Sequence, residues 1–357
     1  MLSLLVTTLF ALHLGPMGPD APAREPQLAA HGSLVGLTFG AGTSIYFSAS
    51  HDHGQTFSAP VKVADAEILP LNRHRGPRIA FAGDTVVISA VIGKTPSHAQ
   101  HAHGLPSDGD LVVWRSTDGG RSWSKGVVVN DVPGAPTEGL HTLASDGKDG
   151  LFAAWLDKRS GKGTQLYGAR STDAGATWSK SVLIHQSPDG TICECCAPSA
   201  GIGRDGEISV MFRNWLAGAR DLYLTQSRDG RRFSRAQKLG LGSWQLNACP
   251  MDGGGLAVAG EHITTVWRRG DTVYMDEPGK PEFALGTGKD VALAIGRGGP
   301  YAIWSNDTKI QLWHDGKIET LAENGAFPAV IGLADGSLVA AWEDQGEIIT
   351  KPLPLPR

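Results

Sequence analysis

The most specific chemistry in this 357-residue chain belongs to its four cysteines. Three fall in Cys193-Glu194-Cys195-Cys196, and the fourth is Cys249, two residues before Met251. Sulfur at this density does one of two things. In an oxidising compartment the thiols pair, and four cysteines allow three connectivities. A bond between the adjacent Cys195 and Cys196 strains the backbone, so a bridge from the 193–196 cluster to Cys249 is the favoured expectation. Where thiols stay reduced, soft thiolate joined by imidazole suits copper or zinc. The run His98-Ala-Gln-His101-Ala-His103 supplies imidazoles. His98, His101, His103, Cys193, Cys196 and Cys249 therefore form the alternative, metal-holding set. With the bridge favoured, no cofactor is expected. Charge excludes one class of partner: 32 basic against 36 acidic residues leave a net charge of −4, with no basic footprint for nucleic acid.

These residues need a scaffold, and the chain announces one by repetition. Ser116-Thr117-Asp118-Gly119-Gly120-Arg121-Ser122-Trp123 returns as Ser171-Thr172-Asp173-Ala174-Gly175-Ala176-Thr177-Trp178. It occurs earlier as Ser50-His51-Asp52-His53-Gly54-Gln55-Thr56-Phe57. A shorter copy, Ser227-Arg228-Asp229-Gly230-Arg231-Arg232-Phe233, follows later. Each part has a mechanical use. The carboxylates of Asp52, Asp118, Asp173 and Asp229 accept N–H groups of their own turn, and Gly supplies positive φ. The closing aromatic is an apolar anchor. Asp118 to Asp173 is 55 residues and Asp173 to Asp229 is 56; the first interval, Asp52 to Asp118, is 66, with the surplus near residues 94–109. Apolar runs ending in an aromatic, such as Leu151–Trp155 and Leu338–Trp342, recur with the turns and mark seven units. No sustained helical period interrupts them. The expectation is an all-β chain: a single β-propeller of four-stranded antiparallel blades, with seven repeat units. The last unit lacks a fourth strand of its own, which the N-terminal segment is placed to supply.

The repeated turn resembles the Asp box of sialidase-type (BNR-repeat) β-propellers. That resemblance implies six blades as the alternative count, and exo-α-sialidase-like hydrolysis of a glycan bearing an anionic sugar. It also implies site residues: arginines that hold the sugar carboxylate, an aspartate acid, and a tyrosine nucleophile activated by a glutamate. Arg78, which opens a first strand in Gly76-Pro77-Arg78-Ile79, matches the first arginine. Arg213 and Arg268 each follow a second-strand aromatic, and Trp215 and Arg220 lie nearby as further substrate-binding candidates. Asp108 or Asp110 falls where the acid loop belongs, and Glu138 matches the activating carboxylate. None of the five tyrosines is placed for attack. Tyr46, Tyr167 and Tyr223 each precede a box Ser by four residues, inside the framework.

In such a blade the box turns share one rim with the strand one–two turns. The strand two–three turns and blade links share the other, and nearly all the residues named above fall there. Residues 1–23 read as a signal peptide, or an N-terminal tether, because residues 2–15 are apolar yet too short to span a bilayer and Ala21-Pro22-Ala23 suits cleavage. Residues 24–357 form the propeller domain. An exported protein, periplasmic or secreted, is expected, with no transmembrane span beyond that tether. Three functions remain open: a glycoside hydrolase, a non-catalytic propeller binding a glycan, another small anion or a protein partner, and a Cys/His metal-binding protein.

Overall fold

A computed structural model describes residues 11–93 and 109–353. Among these residues every regular element is a strand, and the strands form seven antiparallel four-stranded sheets. Blade 1 comprises β2 (Ala23–His31), β3 (Leu34–Ala41), β4 (Ser44–Ser50) and β5 (Val61–Asp65). Blade 2 comprises β6 (Arg78–Ala82), β7 (Thr85–Gly93), β8 (Gly109–Ser116) and β9 (Val127–Val128). Blade 3 follows as β10 (Pro136–Ser145), β11 (Leu151–Asp157), β12 (Gln165–Ser171) and β13 (Val182–His185). Blade 4 is β14 (Ser199–Ile202), β15 (Ile208–Arg213), β16 (Leu222–Ser227) and β17 (Gln237–Lys238). Blade 5 is β18 (Gly254–Ala259), β19 (His262–Arg269), β20 (Thr272–Asp276) and β21 (Phe283–Thr287). Blade 6 is β22 (Lys289–Gly296), β23 (Gly299–Asn306), β24 (Lys309–His314) and β25 (Lys317–Ala322). Blade 7 joins β26 (Ala326–Gly332), β27 (Leu338–Asp344) and β28 (Glu347–Leu353) to β1 (Leu12–Leu14), which pairs with β28.

The count of seven holds, and the six-bladed alternative is excluded. The N-terminal segment does close the last blade: Leu12, His13 and Leu14 lie opposite Thr350, Ile349 and Ile348. The closing strand therefore lies within the 1–23 segment read as a signal peptide or tether. No helix among the described residues is long and apolar enough to cross a membrane.

Why the second strands are so apolar follows from their place. Each is sandwiched between neighbouring blades on both faces, so it reads as a continuous hydrophobic run instead of alternating. All of β11 is buried, and Trp155, Trp267, Trp304 and Trp342 fill the spaces between blades. The fourth strands face outward and shrink to two residues in β9 and β17. The first strands line a central channel of about 430 Å³, bounded by segments of all seven blades.

The Asp boxes behave as staples. In the box of blade 2, Ser122 N–H donates to Asp118 Oδ1 at 2.9 Å, its hydroxyl to Oδ2 at 2.5 Å, and Gly120 N–H to Ser116 Oγ at 2.8 Å. Asp52 and Asp173 repeat the pattern with Thr56 and Thr177. Asp229, in the shortened copy, keeps two backbone donors at 2.8 Å and the Ser227 hydroxyl at 3.0 Å, and loses the hydroxyl that Ser122 supplies in blade 2. The box also pins blade to blade. Gly120, at φ +88°, lies so close to blade 1 that a Cβ there would meet Phe47 at 2.0 Å. Trp123 packs edge-on against the same Phe47 ring at 5.4 Å.

Candidate functional site

At the rim opposite the boxes, the first strands do something their sequence does not announce. β2, β10, β22 and β26 each carry a register shift against the second strand near their starts. A residue at each shift takes left-handed backbone: Glu25 (φ 55°), Glu138 (φ 62°), Asp290 (φ 56°) and Phe327 (φ 49°). Such bulges re-aim a side chain, and non-glycine residues hold this conformation only where the surroundings over-determine it. Three of the four are acids. All three acids are buried at the mouth of the channel.

The link from blade 1 to blade 2 adds a rarer feature. Asn72, Arg73 and His74 stand in left-handed conformation in succession, at φ 75°, 56° and 65°. Each such residue costs about 1–2 kcal/mol relative to right-handed backbone. The turn is held by Arg78, whose guanidinium donates to the carbonyls of Pro77 (3.0 Å), Gly76 (3.4 Å) and His74. It is also held by Glu25, whose carboxylate accepts the His74 N–H at 3.0 Å. The result is His74 against two carboxylates from other blades. Its Nε2 is 3.0 Å from Asp290 Oδ1 and 3.9 Å from Asp252 Oδ1. Asp252 Oδ2 pairs with Arg268 Nε at 2.8 Å, while its buried Oδ1 has no hydrogen-bond partner. Phe327 packs edge-on against the imidazole at 5.5 Å.

Electrostatics push these groups apart. Burial opposes charge on His74, but the hydrogen bond and charge of Asp290, then Glu25 and Asp252, outweigh it and raise His74 to about 9. Burial raises Glu25 to about 8, against the pull of the His74 charge. Burial, with Asp290 beside it, also raises Asp252; burial pushes Asp290 up too, but the bond and charge of His74, with Lys289 and Arg268, together outweigh it and hold Asp290 low. At neutral pH the cluster therefore holds a protonated imidazole, a protonated Glu25 and an ionised Asp290. Groups tuned in opposite directions in one cleft are what acid–base chemistry requires. His74, Asp252 and Asp290 also bring three ligand atoms within 4.8 Å of one another, one of two such groups among the described residues.

The residues expected from sequence are distributed unevenly over this site. Arg78 and Arg268 border it, Arg78 through the His74 turn and Arg268 through Asp252. Arg213 is buried one blade away, with its guanidinium on the carbonyls of Arg220 (2.7 Å), Arg268 (3.1 Å) and Asp252 (3.2 Å). The three guanidiniums do not converge on one open point: Arg78 and Arg213 bond backbone carbonyls. Trp244, which sequence reading passed over, stands between Arg213 and Arg268, its ring 5.3 and 5.2 Å from their guanidiniums. Trp215 lies under the Arg220 guanidinium at 4.3 Å. Glu138 is present at the mouth, but it is paired with buried Arg75 at 2.6 Å. Asp110 caps a loop, accepting from Asn130 Nδ2 at 2.8 Å and Gly134 N–H at 3.0 Å. His141 is wholly buried and hydrogen-bonded to Ser89 at 2.9 Å; burial, with Arg78 nearby, lowers it to about 3, so it stays neutral. Asp108, His98, His101 and His103 lie outside the described residues.

The second ligand group is the sulfur cluster. Cys193 Sγ lies 3.2 Å from Cys196 Sγ and 3.6 Å from Cys195 Sγ, with Cys249 and Met251 packed against the three. The bridge expected to Cys249 is not formed, and all four cysteines are free. Arg220 Nη1 donates to Cys193 Sγ at 3.0 Å. Burial pushes the Cys193 thiol up, but bonds from the other two thiols and the charges of Arg213 and Arg220 outweigh it and hold Cys193 well below the usual value.

Similar solved structures support the fold. A protein of unknown function from Dyadobacter fermentans superposes with a TM-score of 0.58 at 13% identity, over 97% of this chain and 98% of that one. The Hadza microbial sialidase Hz136 gives 0.52 at 16%, over 90% and 76%. An α-L-arabinanase from Penicillium chrysogenum, complexed with arabinobiose, gives 0.53 at 15%, over 96% of each chain. A search of curated proteins returns no match. The BNR repeat-like domain matches residues 39–265, spanning the four box hairpins and blades 2 to 4 complete, and the chain belongs to that family.

Proposed function

We propose that this chain is an exported carbohydrate-processing propeller that cleaves a glycosidic bond to an anionic sugar at the channel mouth, with His74 and Asp252 as its acid and base. The observation that carries this reading is the strained 72–74 turn, which holds His74 between Asp290 and the unpartnered oxygen of Asp252. His74, protonated at neutral pH, donates to the leaving oxygen. Asp252 Oδ1, 3.9 Å from His74 Nε2, leaves no room for a water between acid and base. It therefore takes the proton from the carbon beside the sugar carboxylate while the C–O bond breaks and a C=C bond forms. Asp290 Oδ1, 3.0 Å from Nε2, holds the imidazole in place and keeps it protonated. Arg24, paired with Glu343 at 2.8 Å, and Lys289, 3.7 Å from Asp290, keep side chains 37% and 55% exposed at the starts of β2 and β22 and supply positive charge for the sugar. This chemistry has no role for a tyrosine nucleophile and differs from sialidase hydrolysis on that point. The sialidase and arabinanase of the same fold make a sugar the natural class of substrate.

A panel of aryl sialosides and uronate-containing oligosaccharides, incubated with purified full-length protein, tests the proposal. Release of sugar is expected from at least one class, with kcat falling by about 10²-fold or more in Asp252→Asn, the usual scale for losing an acid–base group. Lys289→Ala is expected to raise KM and leave kcat nearly unchanged. Binding without turnover of any panel member sinks the catalytic reading in favour of a non-catalytic glycan-binding propeller.

A further inference from the structure

We propose that Cys193, Cys195 and Cys196 form a buried trithiolate site for one Cu(I) ion, separate from the channel-mouth cluster. Three thiols from one blade link converge, with Sγ–Sγ separations of 3.2 and 3.6 Å from Cys193. Three sulfur ligands about 2.3 Å from one metal in a trigonal plane stand about 4.0 Å apart, so small side-chain rotations complete the shell. Each of the three is buried, and the thioether residue Met251, in left-handed backbone at φ 56°, packs on them beside Cys249. Thiolate and thioether select soft ions.

Charge decides which soft ion. Arg213 and Arg220 are both buried, at 1% and 4% exposure. Among the described residues neither is ion-paired to a carboxylate; their guanidiniums bond carbonyls and, for Arg220, Cys193 Sγ. Two buried cations are costly when the nearest carboxylate, Asp252, is already paired with Arg268 and only sulfur remains to neutralise them. Three thiolates with Cu(I) carry a charge of about −2, which two guanidiniums balance; the same shell around Zn(II) carries about −1 and leaves one cation uncompensated. On binding, the thiols release their protons to solvent and three Cu–S bonds form; copper stays Cu(I) and no electron is transferred.

The test uses full-length protein reduced under anaerobic conditions. It is titrated with Cu(I) against a chromophoric Cu(I) chelator, and separately with Zn(II). One Cu(I) per chain is expected, with X-ray absorption showing sulfur-only ligation near about 2.3 Å and a raised melting temperature. Zn(II) is expected not to displace it. Cys196→Ser should lose at least about 100-fold in affinity, beyond the scale of second-shell losses. Cys249→Ser, outside the trio and only half-buried, should keep the full equivalent. Because wild type and Cys249→Ser report without disturbing the trio, misfolding of Cys196→Ser does not decide the outcome. Absence of Cu(I) uptake by folded, reduced wild type overturns the proposal, as does displacement of Cu(I) by Zn(II), or a disulfide among these cysteines whose reduction restores no copper binding.

Discussion

His74 keeps its proton because two carboxylates from other blades face it, and Glu25 keeps its own because burial leaves the carboxylate unsolvated. Both shifts act on stability in the same direction. Glu25 is raised from 4.5 to about 8 and His74 from 6.5 to about 9, so the folded chain holds protons that the unfolded chain has lost. Stability from each is complete below its unfolded value and is lost as pH rises through the folded one. Thermal melts should therefore show stability falling from mildly acidic pH toward pH about 9. Glu25→Gln, which cannot ionise, should flatten the part of that fall below pH about 8, and melts parallel to wild type across the range would refute the assignment. None of this was legible in the sequence. Glu25 and Asp290 sit in strand starts of ordinary composition, and His74 in a link with no motif; their meeting depends on ring closure and on bulges that only a register can reveal.

The box hairpin is the element whose sequence spoke most clearly. Its Ser, Asp and Thr hydrogen bonds are local, within four residues, so spacing alone predicts them. Its second role, pinning one blade to the next, depends on a neighbour some 70 residues away and was invisible. The two roles predict different costs. Asp173→Ala removes a turn acceptor and should cost about 1 kcal/mol, on the scale of lost helix caps. Gly120→Ala places a methyl group on Phe47 and a side chain in left-handed backbone. It should cost about 2–4 kcal/mol, adding overpacking to the conformational term. Urea denaturation of both variants checks the order. Equal costs would mean that the Gly120–Phe47 contact relaxes freely. Arg213 illustrates the opposite failure of legibility: strand order put it at the end of a second strand, yet its guanidinium is spent on the carbonyls of Arg220, Arg268 and Asp252 and not on an open position.

Across the whole molecule, the seven-blade count followed from the repeat, while closure rests on three residues. β1 caps the edge of β28, and a propeller whose ring is closed by the far end of the chain protects an edge that otherwise pairs with other chains. A chain lacking residues 1–22 should melt at lower temperature and self-associate through β28, as light scattering would register; an unchanged, monomeric variant would show that β1 contributes little.

The central claim is that the channel mouth around His74 and Asp252 is the reaction centre. A crystal structure of the protein soaked with the anionic sugar released in the panel assay tests it most directly. Density for the sugar within hydrogen-bond distance of the His74 imidazole and Asp252 Oδ1 is the predicted result. Density confined to the box rim, or to the outer blade faces away from the mouth, would contradict it.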